Sequence, residues 1–214
     1  NALVEINCEE VPIMDGSAKE FLSEIKKTNL LIQRKKRKYL KISKKIELKD
    51  GERKISIEPN ASSLKVNFQL KYENKVIGNQ KNTVDFEKDS VENIFNSRTF
   101  CLLEDIEKIK KIGLAKGGSL ENAIVVQGNK ILNEDGLRNR HEFVYHKILD
   151  CLGDIMLSGN RIFGHIKTSQ GGHALTNKLL VKFFADDSNW NFKSFEKGES
   201  QTDNGVVNPM AIGL

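Results

Sequence analysis

The chain has 214 residues, of which 38% are hydrophobic and 29% are charged, and its formal net charge is +5. This balance excludes a disordered or low-complexity chain and predicts a water-soluble globular fold. No apolar run approaches the roughly 18 residues of a membrane-spanning helix, so no transmembrane segment is predicted.

The beginning of the chain is predicted to form a strand, a turn and a helix. Apolar residues at positions 2–6 indicate a strand that is entered midway at Asn1, which we interpret as the sign of a fragment of a longer protein. Turn-forming Pro, Asp and Gly lie within 11–17. Apolar residues at helical spacing then predict a helix from Ala18 to Lys27.

Four segments that alternate apolar and polar residues come next, separated by turn chemistry. They are Tyr39–Ile42, Ile46–Leu48, Lys54–Pro59 and Leu64–Tyr72. We predict a meander of antiparallel strands from this pattern, with a domain boundary near residues 29–35.

A dense basic run from Lys26 to Lys54 overlaps the first two of these strands and the beginning of the third. Such a run is compatible with binding of nucleic acid or another polyanion. The alternative is a strand pair with a solvated basic face. We favour this alternative because only Tyr39 interleaves with the charges, whereas single-strand binding surfaces usually carry several aromatic residues.

Helical periodicity dominates the second half of the chain. The predicted helices are Glu104–Ile112, Glu142–Met156 and Ala174–Phe184, and the predicted strands are Ala123–Val126, Lys130–Leu132 and Arg161–Thr168. Strands that come first and helices that come later favour an α+β sandwich over a Rossmann-type sheet. The stretch from residue 198 has little pattern and is expected to be a loose tail.

The helix at 142–156 carries a polar stripe. His146, Asp150 and Asp154 are one turn apart and therefore share a face, while apolar side chains occupy the opposite face. A histidine and a carboxylate at this spacing can chelate one metal ion. On spacing alone, an ordinary salt bridge on a solvated helix is the commoner outcome.

Other motifs are less specific. His173 follows Gly171 and Gly172 between a strand and a helix, which suits either the rim of an open cleft or a simple helix cap, and Thr99 alone carries no signal. GxxxxGK[ST], GxGxxG and GxSxG motifs are missing from the sequence. The three cysteines are far apart, which argues against structural disulfides and fits a reducing cytoplasm.

Several motifs together resemble the UDP-3-O-acyl-N-acetylglucosamine deacetylase family in order and spacing, from Asn1 to about Phe184. They are Pro12–Ser17, Ser97–Phe100, Leu132–Arg138, His146–Asp154, Gly172–Leu175 and Asn177–Leu179. The resemblance implies two α+β domains that face each other across the active site. Residues 1–30 are then expected to be the end of the first domain and 35–197 the complete second domain, with an insert at about 100–132 and a tail at 198–214.

The resemblance also implies a zinc-dependent hydrolase. His146 and Asp150 would be two of three Zn²⁺ ligands, and Asp154 would orient His173, the charged partner of the reacting amide. Thr99 would help to hold the oxyanion.

The insert would form a passage for the fatty acyl chain of the substrate. The substrate-binding residues expected from the resemblance are Lys147 near the diphosphate, Phe100, Gly172 and the wall residues Ile106, Ala115, Gly118, Ser119, Leu120 and Val125.

By the same resemblance, the third zinc ligand and a glutamate base lie before Asn1, so the chain alone is expected to be inactive. The implied reaction releases acetate from UDP-3-O-(3-hydroxyacyl)-N-acetylglucosamine in lipid A biosynthesis, in the cytoplasm of a Gram-negative bacterium. A monomer that binds no nucleic acid is expected. The alternatives are a basic nucleic-acid-binding module and a noncatalytic scaffold with the same fold.

Overall fold

The alternating strands each have an apolar face, and two long helices each carry an apolar stripe. All of these surfaces are buried when the helices cover one face of a sheet. The computed structural model describes residues 3–28, 31, 35–111, 113 and 117–194. The helices are α1 (Lys19–Lys27), α2 (Glu92–Phe95), α3 (Leu103–Lys111), α4 (Glu142–Ile155) and α5 (His173–Phe184). The strands are β1 (Lys38–Ile42), β2 (Ile46–Asp50), β3 (Arg53–Pro59), β4 (Leu64–Lys71), β5 (Asn79–Asp85), β6 (Phe100–Leu102), β7 (Ile124–Gln127), β8 (Lys130–Ile131), β9 (Arg161–Ser169) and β10 (Trp190–Ser194). This mixture confirms the predicted α+β class.

Strand β9 organises the larger, seven-stranded sheet. It pairs in parallel with β1 and β4 and antiparallel with β3, while β2, β5 and β10 extend the sheet from β3, β4 and β1. The central register aligns Ile57, Ile166 and Val66, none of which has exposed surface. The predicted meander is therefore wrong, because a strand from late in the chain inserts among the early strands.

Helices α4 and α5 cover one face of this sheet and pack against each other. Helix α4 lies on β4 and β5, and α5 lies on β2 and β3. The apolar side predicted for α4 is confirmed, because Val144, Ile148, Cys151 and Ile155 are buried and Leu152 is half-buried. Each large apolar side chain buried in this way contributes about 1.5–3 kcal/mol.

The predicted insert contains α3 and a second, three-stranded sheet with the order β6-β7-β8. Strand β7 pairs in parallel with β6 and antiparallel with β8. Strand β6 was not predicted, since it has only three residues and no long alternation. No helix in the described part of the chain is both long and apolar enough to cross a bilayer.

The predicted strand at the beginning of the chain is wrong as far as residues 3–6 are described, since they form no strand. Leu3, Val4 and Ile6 are 87%, 74% and 48% exposed. An isolated strand is unstable in water, and these residues pair with none of the described strands. The predicted tail at 198–214 lies outside the described residues, and the boundary predicted near 29–35 falls largely outside them.

Candidate metal and acid–base site

Helix α4 brings the predicted polar stripe to the edge of the core. His146 Nε2 lies 3.3 Å from Asp150 Oδ1, and Lys147 Nζ donates to Asp150 Oδ2 at 2.8 Å. Although burial favours the protonated carboxyl, the contact with His146 and the charge and hydrogen bond of Lys147 hold the pKa of Asp150 well below its usual value. Asp150 is therefore ionised and can provide a carboxylate oxygen as a metal ligand beside the imidazole of His146.

The backbone before β6 fixes which nitrogen of His146 faces Asp150. His146 Nδ1 lies 3.1 Å from the carbonyl oxygen of Ser97. A carbonyl only accepts, so Nδ1 carries a proton and donates it, which leaves Nε2 directed towards Asp150. This arrangement, with one ring nitrogen anchored to a backbone carbonyl, is typical of histidines that bind metal ions.

The donor set fits zinc in type, since zinc accepts imidazole nitrogen and carboxylate oxygen. It is incomplete within the described residues, where no group of three or more His, Cys, Asp or Glu side chains is placed to hold a metal ion. Cys151 lies next in sequence but faces the core, and burial, with the nearby Asp154 and Asp150, raises its pKa to about 12. Its thiol therefore stays protonated and is unsuited to bind metal.

The next turn of α4 reaches the beginning of α5. Asp154 Oδ1 accepts a hydrogen bond from His173 Nδ1 at 2.8 Å. The carboxylate side chain is 16% exposed and the imidazole 69% exposed, so Asp154 anchors a ring whose Nε2 is left for another partner. The carbonyl of Gly172, just before this ring, accepts from the amides of Leu175 and Thr176, each at 3.0 Å, and so begins the helix.

Thr99 is held in place through its backbone. Its amide donates to Gly16 at 2.8 Å and its carbonyl accepts from Ile124 at 2.8 Å. The next residue, Phe100, meets the ring of His146 edge-on with 6.4 Å between centroids. The segment that carries Thr99 thus runs beside the His146 end of α4.

Phe100 also contacts Lys147, whose Nζ lies 5.8 Å from the centroid of the phenyl ring. This cation–π contact and the bond to Asp150 place the ammonium group beside the candidate metal ligands. Direct contacts therefore join four of the predicted site residues: His146, Asp150, Lys147 and Phe100.

The predicted acyl-passage residues differ in their surroundings. Gly118, Ser119 and Leu120 are exposed, Ile106 is half-buried, Val125 is buried in β7, and Ala115 lies outside the described residues. Their role in substrate binding remains a prediction.

Asn133 was not singled out from the sequence, yet it organises the loop before β7. Its side-chain Nδ2 donates to the carbonyls of Leu120 and Ala123 at 2.8 and 2.9 Å, and its Oδ1 accepts from the backbone amide of Val125 at 2.9 Å. The only sequence signal was its position inside the segment Leu132–Arg138. The carbonyl of Ser97 gave no signal of its own, because a backbone acceptor is independent of the residue type.

Comparisons with known proteins all match the chain to one family of deacetylases. The family model described as LpxC, UDP-3-O-acyl N-acetylglycosamine deacetylase, matches residues 1–185. The chain is 41% identical over 202 residues to the UDP-3-O-acyl-N-acetylglucosamine deacetylase of Saccharophagus degradans, which covers 93% of this chain and 66% of that protein. Proteins with the same description from Pseudomonas entomophila and Teredinibacter turnerae are 42% and 39% identical, with 92% and 94% of this chain and 65% and 67% of theirs covered. The chain thus spans about two thirds of the length of these curated relatives.

Proposed function

We propose that this chain, which belongs to the UDP-3-O-acyl N-acetylglycosamine deacetylase family, takes part in removing the N-acetyl group from UDP-3-O-acyl-N-acetylglucosamine. Water cleaves the amide bond, and the products are acetate and the free amino sugar. We place this reaction in lipid A biosynthesis and in the cytoplasm of a Gram-negative cell.

The observation that carries the proposal is the pair of contacts made by successive turns of α4. One turn carries the His146–Asp150 pair, and the next carries Asp154, bonded to His173. One pair offers nitrogen and oxygen donors to a cation, and the other offers an anchored imidazole to a substrate. Amide hydrolysis needs both kinds of group, because charge develops on the carbonyl oxygen and a proton must reach the leaving nitrogen.

Zinc held by His146 Nε2 and Asp150 would supply a Lewis acid and a nucleophile available at neutral pH. We assign to the Thr99 hydroxyl and His173 Nε2 the role of holding the developing oxyanion. Asp154 fixes the ring of His173 through Nδ1. This fixed direction matters because donors aimed at the transition state before reaction need no reorganisation.

The substrate contacts follow from charge and exposure. Lys147 places a positive charge beside the site and suits a diphosphate. The exposed Leu120 offers an apolar side chain for an acyl chain, and the small, exposed Gly118 and Ser119 leave space beside it. We infer that a third zinc ligand and a general base complete the site, since the described residues bring only two donors together.

The deciding experiment is His173→Ala in the full-length protein, with zinc content and deacetylation measured side by side. Loss of one transition-state donor should lower kcat about 100-fold or more while zinc is retained. His141→Ala is the matched control, because His141 lies before α4 and contacts Arg140 and Tyr145. Both zinc content and rate should survive in the control.

Zinc lost in proportion to activity in His173→Ala would make His173 a ligand and contradict its assigned role. A wild-type protein with no deacetylase activity would contradict the proposed reaction itself. A noncatalytic scaffold with the same fold would likewise show no deacetylase activity. A nucleic-acid-binding module would instead show tight binding that weakens steeply with salt.

A further inference from the structure

The peptide group between Ser97 and Arg98 is hydrogen-bonded at both ends to side chains of α4. Its carbonyl accepts from His146 Nδ1 at 3.1 Å, and its amide donates to Glu142 Oε1 at 3.1 Å. Glu142 and His146 are one turn apart on the helix and so share a face. The peptide group therefore bridges the two side chains and couples the orientation of the imidazole to that of the carboxylate.

Glu142 has no exposed surface, and its carboxylate is surrounded by donors. Oε1 accepts from the backbone amide and Nε of Arg98, at 3.1 and 2.9 Å. Oε2 accepts from Arg98 Nη2 at 3.2 Å and from the backbone amide of Arg138 at 2.6 Å. An ionised carboxylate accepts at both oxygens and satisfies all these partners, whereas an amide would turn its NH₂ group towards two N–H donors.

We propose that Glu142 is a positioning residue for His146 and acts through the Ser97–Arg98 peptide group. This inference rests on the proposed function, in which His146 is a zinc ligand. A carboxylate that accepts from the amide end polarises the peptide and makes its carbonyl a stronger acceptor for Nδ1–H. The ring is held with Nδ1 protonated and Nε2 turned towards Asp150, as a histidine ligand requires. Glu142 itself touches neither the metal nor the substrate.

A different result is expected if Glu142 serves only to form a structural ion pair with Arg98. Arg98 Nη2 also donates to the carbonyl of Gly136 at 2.7 Å, so the pair ties α4 to the turn before it. If this tie were the whole role of Glu142, its loss would lower stability. The bond from His146 to Ser97 would nevertheless persist in every molecule that still folds.

The first test compares Glu142→Gln with two controls in the metal-free chain, with folding checked by circular dichroism. The readout is the His146 Nδ1–H proton in ¹H–¹⁵N spectra, identified by its loss in His146→Asn. Arg98→Lys keeps the backbone amide, and Asp15→Asn breaks a neighbouring ion pair with Arg138. The signal should survive in both controls and should shift upfield or broaden through exchange with water in Glu142→Gln.

The second readout is zinc affinity in the full-length protein, measured with zinc ion alone in competition with a chelator. Loss of a residue that orients a ligand typically weakens metal binding about 10- to 100-fold, and Glu142→Gln should fall in this range while Asp15→Asn matches the wild type. A wild-type protein that binds no zinc defeats the proposed function, yet the N–H signal still decides the role of Glu142.

The inference is overturned by an unchanged N–H signal in folded Glu142→Gln. An equal loss of signal in Arg98→Lys overturns it too, because the ion pair would then be the route. If the Gln variant does not fold, Glu142→Asp replaces it, since Asp keeps the charge but withdraws it by one methylene. That variant must show the same loss of the N–H signal, and an intact signal there counts against the inference.

Discussion

Helices α1 and α4 share a sequence pattern but differ in their surroundings. Both carry apolar residues at helical spacing, over nine residues in α1 and 14 in α4. In α1 no residue is buried, and Phe21 and Ile25 are 37% and 39% exposed. In α4 seven residues are buried, and Phe143 and Ile148 have no exposed surface.

Helical periodicity therefore predicts a helix but does not predict what covers its apolar face. Helix α4 has the sheet beneath it, whereas α1 is attached mainly at its beginning by polar contacts. The amide of Ala18 donates to the carbonyl of Phe95 at 3.0 Å, and the hydroxyl of Ser17 accepts from Arg138 Nη1 at 3.3 Å. Stability should therefore respond to packing in α4 and to these attachments near α1.

The largest effect should come from the same substitution made in both helices. Ile148→Ala removes a fully buried side chain, and such changes typically lower the free energy of unfolding by about 2–5 kcal/mol. Ile25→Ala acts at an exposed site and should change it by about 0.5 kcal/mol or less. Urea unfolding, followed by the circular dichroism of each variant, measures both values.

Equal losses of stability for the two isoleucine variants would contradict this difference, because they would mean that α1 is packed as firmly as α4. Ile25→Ser tests the exposed face of α1 more directly. If the exposed face of α1 is bare in solution, this polar substitution should reduce self-association at high concentration without lowering stability.

A smaller effect, of about 2–4 kcal/mol, is expected where the segment before α1 meets the insert. Gly16 has φ of +80°, and a Cβ built on it would lie 2.0 Å from the backbone oxygen of Asn122. Gly16→Ala therefore combines backbone strain with a clash against an atom that cannot swing away. Gly51→Ala is the control, with φ of +61° and no atom within 4 Å of the added Cβ, and should cost only about 1 kcal/mol. If urea unfolding gives equal losses of stability for Gly16→Ala and Gly51→Ala, the clash with Asn122 does not contribute to the effect.

The sequence predicted the parts of the fold that depend on local pattern. The stripe on α4 follows from the 3.6-residue period, and the structure places His146, Asp150 and Asp154 along it, each with a polar partner. The order of strands was not predictable in this way. Strand β9 pairs with β1, β3 and β4 through contacts between distant residues, and alternation does not identify a partner.

Two of the missed strands, β5 and β10, share a physical reason. Strands β5 and β10 lie at edges of the sheet, where each pairs with one neighbour. Edge strands face water and tolerate polar residues, as in the β5 sequence NQKNTVD. Within the site, the roles of Glu142 and the Ser97 carbonyl depend on a backbone bridge, which the side-chain pattern does not encode.

The smallest effect concerns the ion pair that fastens the segment before α1 to the turn before α4. Asp15 Oδ2 lies 2.8 Å from Arg138 Nη2, and Asp15 Oδ1 accepts from the amide and hydroxyl of Ser17 at 3.0 and 2.8 Å. Although burial acts in the opposite direction, these bonds and the charge of Arg138 lower the pKa of Asp15. A lowered folded-state pKa means that the stabilisation is present above the unfolded pKa of about 3.9 and is lost as pH falls through the folded value.

Asp15→Asn should therefore flatten the acid limb of the stability curve, and the difference from the wild type should vanish below the folded-state pKa, where both side chains are neutral. The loss at neutral pH should be about 1 kcal/mol or less, since the pair is partly exposed and screened. Asp50→Asn is the control, because its carboxylate is 60% exposed and its partner Lys178 lies 3.6 Å away. Urea unfolding at intervals from pH 7 to pH 2 measures the curves. A constant difference at every pH would mean that the introduced amide disturbs the turn by its shape, and the contact between the two regions would then owe nothing to the charge of Asp15.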